Sequence, residues 1–346
     1  MNRVMKRHGN LYPAICKLDN IYLAYKKAIK GKLAYHNVRH VMNEERISLL
    51  RIQEMLETKT FKTSPYHVRT IFEPKERLIY ILPFFPDRIV HHALMNIVSP
   101  IWESMFIADS YACIEGKGIH VGSQRTMEFV RRNGYCLKCD ISKFYPSIDH
   151  DILLNIIRRK IKCKDTLWLI EEIIRSVPDG KNTPIGNFTS QWFGNLYLNE
   201  MDTFIKHELK IRDYIRYCDD FLLFHDDKKY LGFCDKAIQE FCGENLKLRL
   251  SKDNLFPVKQ GVDFLGYRHF PDYILLRKST SKKVKRRIKG IWSSYQEYDL
   301  NELERARSQV ASALGWIKHA NSYHFRQATN IETLRDRIDE RIHSFQ

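Results

Sequence analysis

The chain has 346 residues, and its 57 Lys+Arg against 41 Asp+Glu give a net charge of +16. Hydrophobic residues at 44% and charged residues at 28% are globular proportions that exclude a mainly disordered chain, and the length suits two or three lobes. No run approaches the roughly 18–20 apolar residues of a membrane span and no apolar signal segment follows the N-terminus, so a soluble cytosolic protein is expected. The excess positive charge points to a polyanion, nucleic acid first, because neutralising phosphates releases counterions.

Residues 1–60 are rich in Lys, Leu, Ile and Glu, with Val41, Ile47, Leu50, Ile52, Met55 and Leu56 at near-helical spacing, which predicts a helical N-terminal region. His67–Phe72 then alternates, Glu73-Pro74-Lys75-Glu76-Arg77 makes a turn, and Leu78–Leu82 is strand-like: a basic-tipped hairpin. After Pro86 a helix is expected with Ile89, Val90, Ala93, Leu94 and Ile97 on one face. The glycines of Glu115–Gly122 have neither dinucleotide-loop nor Walker spacing, so they are not read as a phosphate loop.

Tyr135–Ile141 reads as a strand ending in Asp140. It contains Cys136 and Cys139, two of eight scattered cysteines. Residues three apart on a strand point to opposite faces, so these are read as buried thiols and not as a zinc pair. Asp149 is the expected N-cap of a helix with Ile152, Leu153, Ile156 and Ile157 inward. A helix over about Thr166–Arg175 leads through a turn to Pro184-Ile-Gly-Asn-Phe-Thr-Ser-Gln191, beyond which Phe193, Leu196, Tyr197, Met201, Phe204, Ile205 and Leu209 form a core stripe. Tyr214–Phe224 is two apolar strands closing on Asp219-Asp220, a tight hairpin. An amphipathic helix follows (Leu231, Phe233, Cys234, Ala237, Ile238, Phe241), then Val262–Tyr267, and from Arg277 to Lys289 a basic run without any acid opens a helical tail.

Asp140 and the Asp219-Asp220 pair stand at strand ends in apolar settings, where acids are costly unless a cation uses them. If the Asp140 strand lies beside the hairpin, Asp140 and Asp219 face one another and can hold two Mg2+ ions for in-line nucleotidyl transfer. Asp220, on the opposite phase, is then a supporting acid.

Tyr217-Cys-Asp-Asp220 resembles the catalytic box of reverse transcriptases, Asp140-Ile-Ser-Lys-Phe-Tyr-Pro-Ser-Ile-Asp149 the upstream aspartate motif, and Val262-Asp-Phe-Leu-Gly-Tyr267 the primer grip. Phe72–Tyr80 and Tyr111–Gly118 are similar to further motifs of that family, in the same order. The form Ile-Gly-Asn-Phe-Thr-Ser-Gln191 is similar to the reverse transcriptases of diversity-generating retroelements. One departure is Cys218, where the box most often has Met.

The resemblance implies an α+β right-hand polymerase: a helical region at 1–60, fingers and palm at 61–270, and a basic helical thumb at 271–346. It implies Asp140, Asp219 and Asp220 as catalytic, with Asp140, Ile141, Asp219 and Asp220 at a two-ion Mg2+ site. Lys75, Arg77, Tyr145, Ile185 and Gly186 are the implied nucleotide contacts, Tyr145 as steric gate, and Lys252 is a candidate general acid. Phe264, Leu265, Gly266 and Tyr267 correspond to the primer grip; Lys282, Lys283, Lys285, Arg286 and Arg287 are expected along the template–primer backbone. The implied partners are a template-repeat RNA, its cDNA, dNTPs and a small basic accessory variability protein, and the implied setting is the cytoplasm, with the protein bacterial, archaeal or phage-encoded. Fewer than about 80 residues follow Tyr267, so no RNase H, HNH-type nuclease or integrase domain is expected. Ile185 cannot make the amide hydrogen bond of the Gln that accurate members place there, which predicts reduced fidelity. The alternatives are another prokaryotic reverse transcriptase, of retron, phage-defence or group II intron type, or a non-catalytic RNA-binding protein.

Overall fold

A computed structural model of the chain describes residues 7–72 and 76–345, except for the side chain of Lys252. The N-terminal helices are α1 (Tyr12–Cys16), α2 (Leu18–Ile29), α3 (His36–Asn43) and α4 (Glu45–Glu57). Pro13 sits in the first turn of α1, where its missing N–H would be unpaired anyway. α2 buries Ile21, Ala24, Tyr25 and Ala28, a stripe at helical spacing. The Tyr12 hydroxyl donates to the Leu56 carbonyl at 2.6 Å, and Asn20 Nδ2 donates to the Ala93 carbonyl at 3.0 Å.

The hairpin follows as β1 (His67–Phe72) and β2 (Glu76–Ile81), paired antiparallel with Val68 opposite Tyr80. Helix α5 (Ile89–Glu103) buries Ile89, Val90, Ala93, Leu94, Val98 and Trp102; Ile97, expected on this face, is only half-buried because the stripe passes through Val98. Then come α6 (Ile119–Arg132), β3 (Tyr135–Ile141), α7 (Phe144–Ser147), α8 (His150–Arg158), α9 (Lys164–Ile174) and α10 (Phe188–Thr203). Asp149 caps α8 as expected, its Oδ1 accepting from the Asp151 and Ile152 amides at 3.1 Å each. Cys136 and Cys139 are fully buried in β3.

Strands β4 (Asp213–Tyr217) and β5 (Asp220–His225) precede α11 (Lys228–Leu246) and β6 (Leu250–Pro257). The four-stranded sheet has the order β4-β5-β3-β6. α11 buries Leu231, Cys234, Ile238, Cys242 and Leu246; Phe233, expected among them, is 58% exposed because it lies off that i, i+3, i+4 stripe. A three-stranded sheet, β7 (Val262–Phe264), β8 (Tyr267–His269) and β9 (Ile274–Leu276), precedes α12 (Lys278–Ser294), α13 (Leu300–Lys318), α14 (Tyr323–Thr329) and α15 (Ile331–His343). No described helix is long and apolar enough to cross a membrane.

Two compact units divide the described residues: one within Met1–Ile114, Cys139–Phe221 and Phe233–Asp253, the other within Glu115–Lys138, Leu222–Gly232 and Asn254–Gln346. In the first, α10 is buried nearly all round. It begins at Phe188, so Thr189-Ser190-Gln191 form its first turn and do not precede it as expected. In the second, Val284, Ile288 and Ile291 of α12 pack with Leu303 and Val310 of α13 and Leu334 and Ile338 of α15. A capping box between Asp299 and Glu302 starts α13, satisfying two amides that the helix leaves unpaired.

Candidate active site

The turn between β4 and β5 consists of Cys218 and Asp219. The acid pair does not itself form the turn: Asp220 is already the first residue of β5. Cys218 has φ +54°, a left-handed conformation that costs a non-glycine residue about 1–2 kcal/mol, so something must hold it.

That support is Arg216, whose side chain is completely buried, as is that of Asp202 on α10. Arg216 Nε and Nη2 donate to the Asp202 carboxylate at 2.8 and 2.6 Å. The Tyr214 hydroxyl donates to Asp202 Oδ1 at 2.6 Å. The remaining nitrogen, Arg216 Nη1, donates to Asn195 Oδ1 at 3.0 Å and to the Cys218 carbonyl at 3.1 Å. A buried ion pair gains little over an apolar one, but its bidentate geometry fixes orientation; here one arm of the guanidinium is aimed at the strained turn.

Burial pushes the Asp219 carboxyl above the usual carboxylate range, and the negative charge of Asp140 adds to that rise. The backbone amide of Asp219 and the positive charges of Arg77 and Arg216 offset part of it. Asp140, at the end of β3, accepts from the Ser251 hydroxyl at its Oδ2, 2.8 Å away, and Ser142 N donates to the Arg249 carbonyl at 2.8 Å, which ties the segment after β3 to the start of β6. The fold therefore brings Asp140, Asp219 and Arg77 within electrostatic reach of one another. Ile141 is buried beside Asp140. Among the described residues, no group of three or more His, Cys, Asp or Glu is drawn together tightly enough to enclose a metal ion. The donor chemistry still fits Mg2+: two repelling, half-buried carboxylates are hard oxygen ligands whose repulsion a divalent cation relieves.

Tyr145 lies in α7, and burial pushes its hydroxyl far up, with the Cys218, Cys113 and Asp219 side chains adding to the rise. Its carbonyl accepts from Thr183 N at 3.0 Å. Gly194 of α10 backs the ring: a Cβ there would stand 3.0 Å from Phe144 and 3.2 Å from Tyr145. The Cys218 thiol is pushed far up by the neighbouring Cys113 thiol and by burial, so the two cysteines and Tyr145 lie within electrostatic reach of one another.

Ile185 and Gly186 dock on β2. Tyr80 N donates to the Ile185 carbonyl at 2.8 Å. Gly186 has φ +128°, and a Cβ at this position would lie 2.2 Å from the Tyr80 carbonyl oxygen. Only glycine fits both conditions.

Lys75 lies outside the described residues, as does the side chain of Lys252. In the second unit Leu265 and Gly266 form a turn with φ +52° and +83°, clasped by Trp316, whose ring a Cβ on Gly266 would meet at 2.4 Å. Phe264 and Tyr267 are interior, the Tyr267 hydroxyl donating to the Trp316 carbonyl at 3.0 Å, so of the four residues expected at a primer grip only the turn pair reaches solvent. Lys282, Lys283, Lys285, Arg286 and Arg287 are all exposed on α12. Sequence reasoning missed Arg216, Asp202, Asn195, Ser251 and Cys113. Arg216 alone carried a signal, as a charge inside an apolar strand.

A family model described as reverse transcriptase (RNA-dependent DNA polymerase) matches residues 72–269. Protein YkfC of Escherichia coli is 27% identical over 240 residues, covering 54% of this chain and 61% of that protein. Nuclear intron maturase 1, mitochondrial, of Arabidopsis thaliana is 30% identical over 112 residues, 31% of this chain and 14% of that protein. The group II intron-encoded protein LtrA of Lactococcus lactis is 23% identical over 210 residues, 56% of this chain and 35% of that protein. This chain thus spans less than two thirds of each of these relatives.

Proposed function

The chain belongs to the reverse transcriptase family, and from that premise we propose that it is an RNA-directed DNA polymerase that extends a primer with dNTPs on an RNA template. The observation that carries this is the mutual repulsion of Asp140 and Asp219 beside Arg77. Bound Mg2+ would activate the primer hydroxyl and neutralise the triphosphate, with Asp140 and Asp219 as its ligands, Asp220 in support and the Ile141 backbone alongside. Arg77 would draw the triphosphate into place, and Tyr145, braced by Gly194, would exclude a ribose 2′-hydroxyl. Lys252 is the proposed proton donor to pyrophosphate. The exposed cations of α12 would follow the duplex backbone and Leu265-Gly266 the primer end, within fingers and palm to residue 270 and a thumb beyond.

Within this family the finer reading is a retroelement enzyme that copies a template-repeat RNA into cDNA mutated at adenines, together with a small basic accessory variability protein. Its support is Ile185-Gly-Asn-Phe-Thr-Ser-Gln191. Because Ile185 accepts from Tyr80 N through its backbone carbonyl, Ile185→Gln tests the idea while keeping the atoms of that hydrogen bond. Misincorporation opposite template adenines should fall by up to about tenfold, the worth of one neutral hydrogen bond; an unchanged error spectrum contradicts a role for Ile185. A second reading, an intron-type reverse transcriptase, is favoured by the names of the maturase and LtrA relatives. Accurate copying of adenines by the unaltered protein would support it.

A further inference from the structure

Two thiols meet at the turn that carries Asp219. Segment 109–113 runs parallel to the end of β4: Ser110 is bridged to Arg216, Tyr111 N donates to the Arg216 carbonyl at 3.0 Å, and Arg216 N donates to the Asp109 carbonyl at 3.0 Å. Just beyond this bridge the two chains reach Cys113 and Cys218. Two side chains pin both segments. Asn195 Nδ2 donates to the Ala112 carbonyl at 2.8 Å, while Arg216 Nη1 donates to Asn195 Oδ1 at 3.0 Å and to the Cys218 carbonyl at 3.1 Å. Each thiol is the largest influence on the other, drawing Cys113 down and pushing Cys218 up, as immediate neighbours do.

Both cysteines are left-handed, with φ +60° at Cys113 and +54° at Cys218, a conformation uncommon outside glycine. Such outliers cluster at active sites and switches. Cys113 is exposed and Cys218 half-buried, whereas Cys16, Cys136, Cys139, Cys234 and Cys242 are buried. An accessible thiol beside a second thiol that can resolve it is the arrangement of an oxidation-sensitive pair.

We propose that Cys113 and Cys218 form a dithiol modification site whose co-reactant is a peroxide, and that the disulfide closed there stops DNA synthesis by displacing Asp219. The Cys113 thiolate attacks one oxygen of hydrogen peroxide, the O–O bond breaks, and the departing hydroxide takes up the thiol proton as water. The Cys218 sulfur then attacks the Cys113 sulfenic acid, the S–O bond breaks, and a second water leaves with the Cys218 proton. Two thiols lose two electrons, and one peroxide becomes two waters. A disulfide imposes its own geometry on both β-carbons, so Cys218 shifts and Asp219 with it; a displacement of about 1 Å can cost about 10²-fold in rate. A thiol reductant reverses the bond by exchange. The loss of synthesis rests on the polymerase reading, and the bond itself does not.

The test treats the reduced full chain with hydrogen peroxide, alkylates the remaining free thiols and maps the peptides by mass spectrometry, with primer extension measured on the same samples. A Cys113–Cys218 crosslink should form, extension should fall by about 10²-fold, and dithiothreitol should restore it. Cys113→Ser should extend at the same rate before and after peroxide, whatever that rate is. Cys163, half-buried at the start of α9, is the control: Cys163→Ser should stay as sensitive as the parent. Free Cys113 and Cys218 after treatment, Cys113 oxidised to the sulfinic acid without a crosslink, or a crosslink with unchanged extension would each overturn the proposal. So would peroxide sensitivity that persists in Cys113→Ser. The crosslink map needs no variant, so it decides even if Cys113→Ser fails to fold. A reduced parent that extends no primer refutes the polymerase reading, while the map and the reversal by dithiothreitol still judge the dithiol.

Discussion

The backbone amide of Tyr80 donates to the carbonyl of Ile185 at 2.8 Å, joining the β1–β2 hairpin to the segment that enters α10. Gly186 makes that contact possible, because the Tyr80 carbonyl occupies the space of a β-carbon. Two segments far apart in sequence are thereby set in one register.

Gly186→Ala should therefore destabilise the protein by about 1–3 kcal/mol through backbone strain alone, and more through the clash, with loss of primer extension. Gly243→Ala is the control: Gly243 lies in α11 with nothing within 4 Å of the added methyl, and the change should stabilise by about 0.5–1 kcal/mol. Thermal unfolding of both variants checks the pair.

Asp219 gives a pH dependence of defined sign. Its carboxyl is raised in the folded state by burial and by Asp140, so the fold favours its protonated form. The stability this contributes is fully present below the ordinary carboxylate pKa and is lost as pH rises through the raised value. At neutral pH the metal-free protein carries the cost of an ionised Asp219, and Asp219→Asn should raise its Tm there. The advantage should shrink at acidic pH, and Mg2+ should stabilise the unaltered chain more than the variant. Tm against pH, with and without Mg2+, is the measurement.

The Arg216–Asp202 pair should behave as a buried ion pair with a second task. Arg216→Met or Asp202→Leu alone leaves a charge stranded and should cost about 3–5 kcal/mol in denaturant unfolding. The double variant should cost far less than the sum. Extension activity should not return with stability, because the Cys218 carbonyl still lacks the donor that Arg216 supplies at 3.1 Å. Full activity in a stable double variant contradicts this role.

What was legible in the sequence was local. The strand bearing Asp140, the Asp149 cap and a hairpin at the Asp219-Asp220 pair, its turn one residue earlier than expected, follow from side-chain period and capping chemistry within a few residues. The Arg216–Asp202 pairing and the docking of Ile185 on Tyr80 join separate elements, and no periodicity reports which elements meet. Arg216 was visible as an anomaly, a charge among apolar strand residues, but its partner stands on α10. Phe233 differs for another reason: hydrophobicity alone does not fix angular position, and this side chain faces outward. The primer-grip motif marked a real turn, while Phe264 and Tyr267 proved to be interior side chains that support it.

Asp140 and Asp219 are proposed to carry RNA-directed DNA synthesis. Primer extension by the purified chain on an RNA template, with dNTPs and Mg2+, should yield full-length product. Asp219→Asn, folded and at least as stable as the parent, should reduce the rate by about 10³-fold or more, in the range of losing a preorganised electrostatic contribution to the transition state. Extension by Asp219→Asn at the parental rate, or no extension by the parent on any primed RNA, would rule out that role.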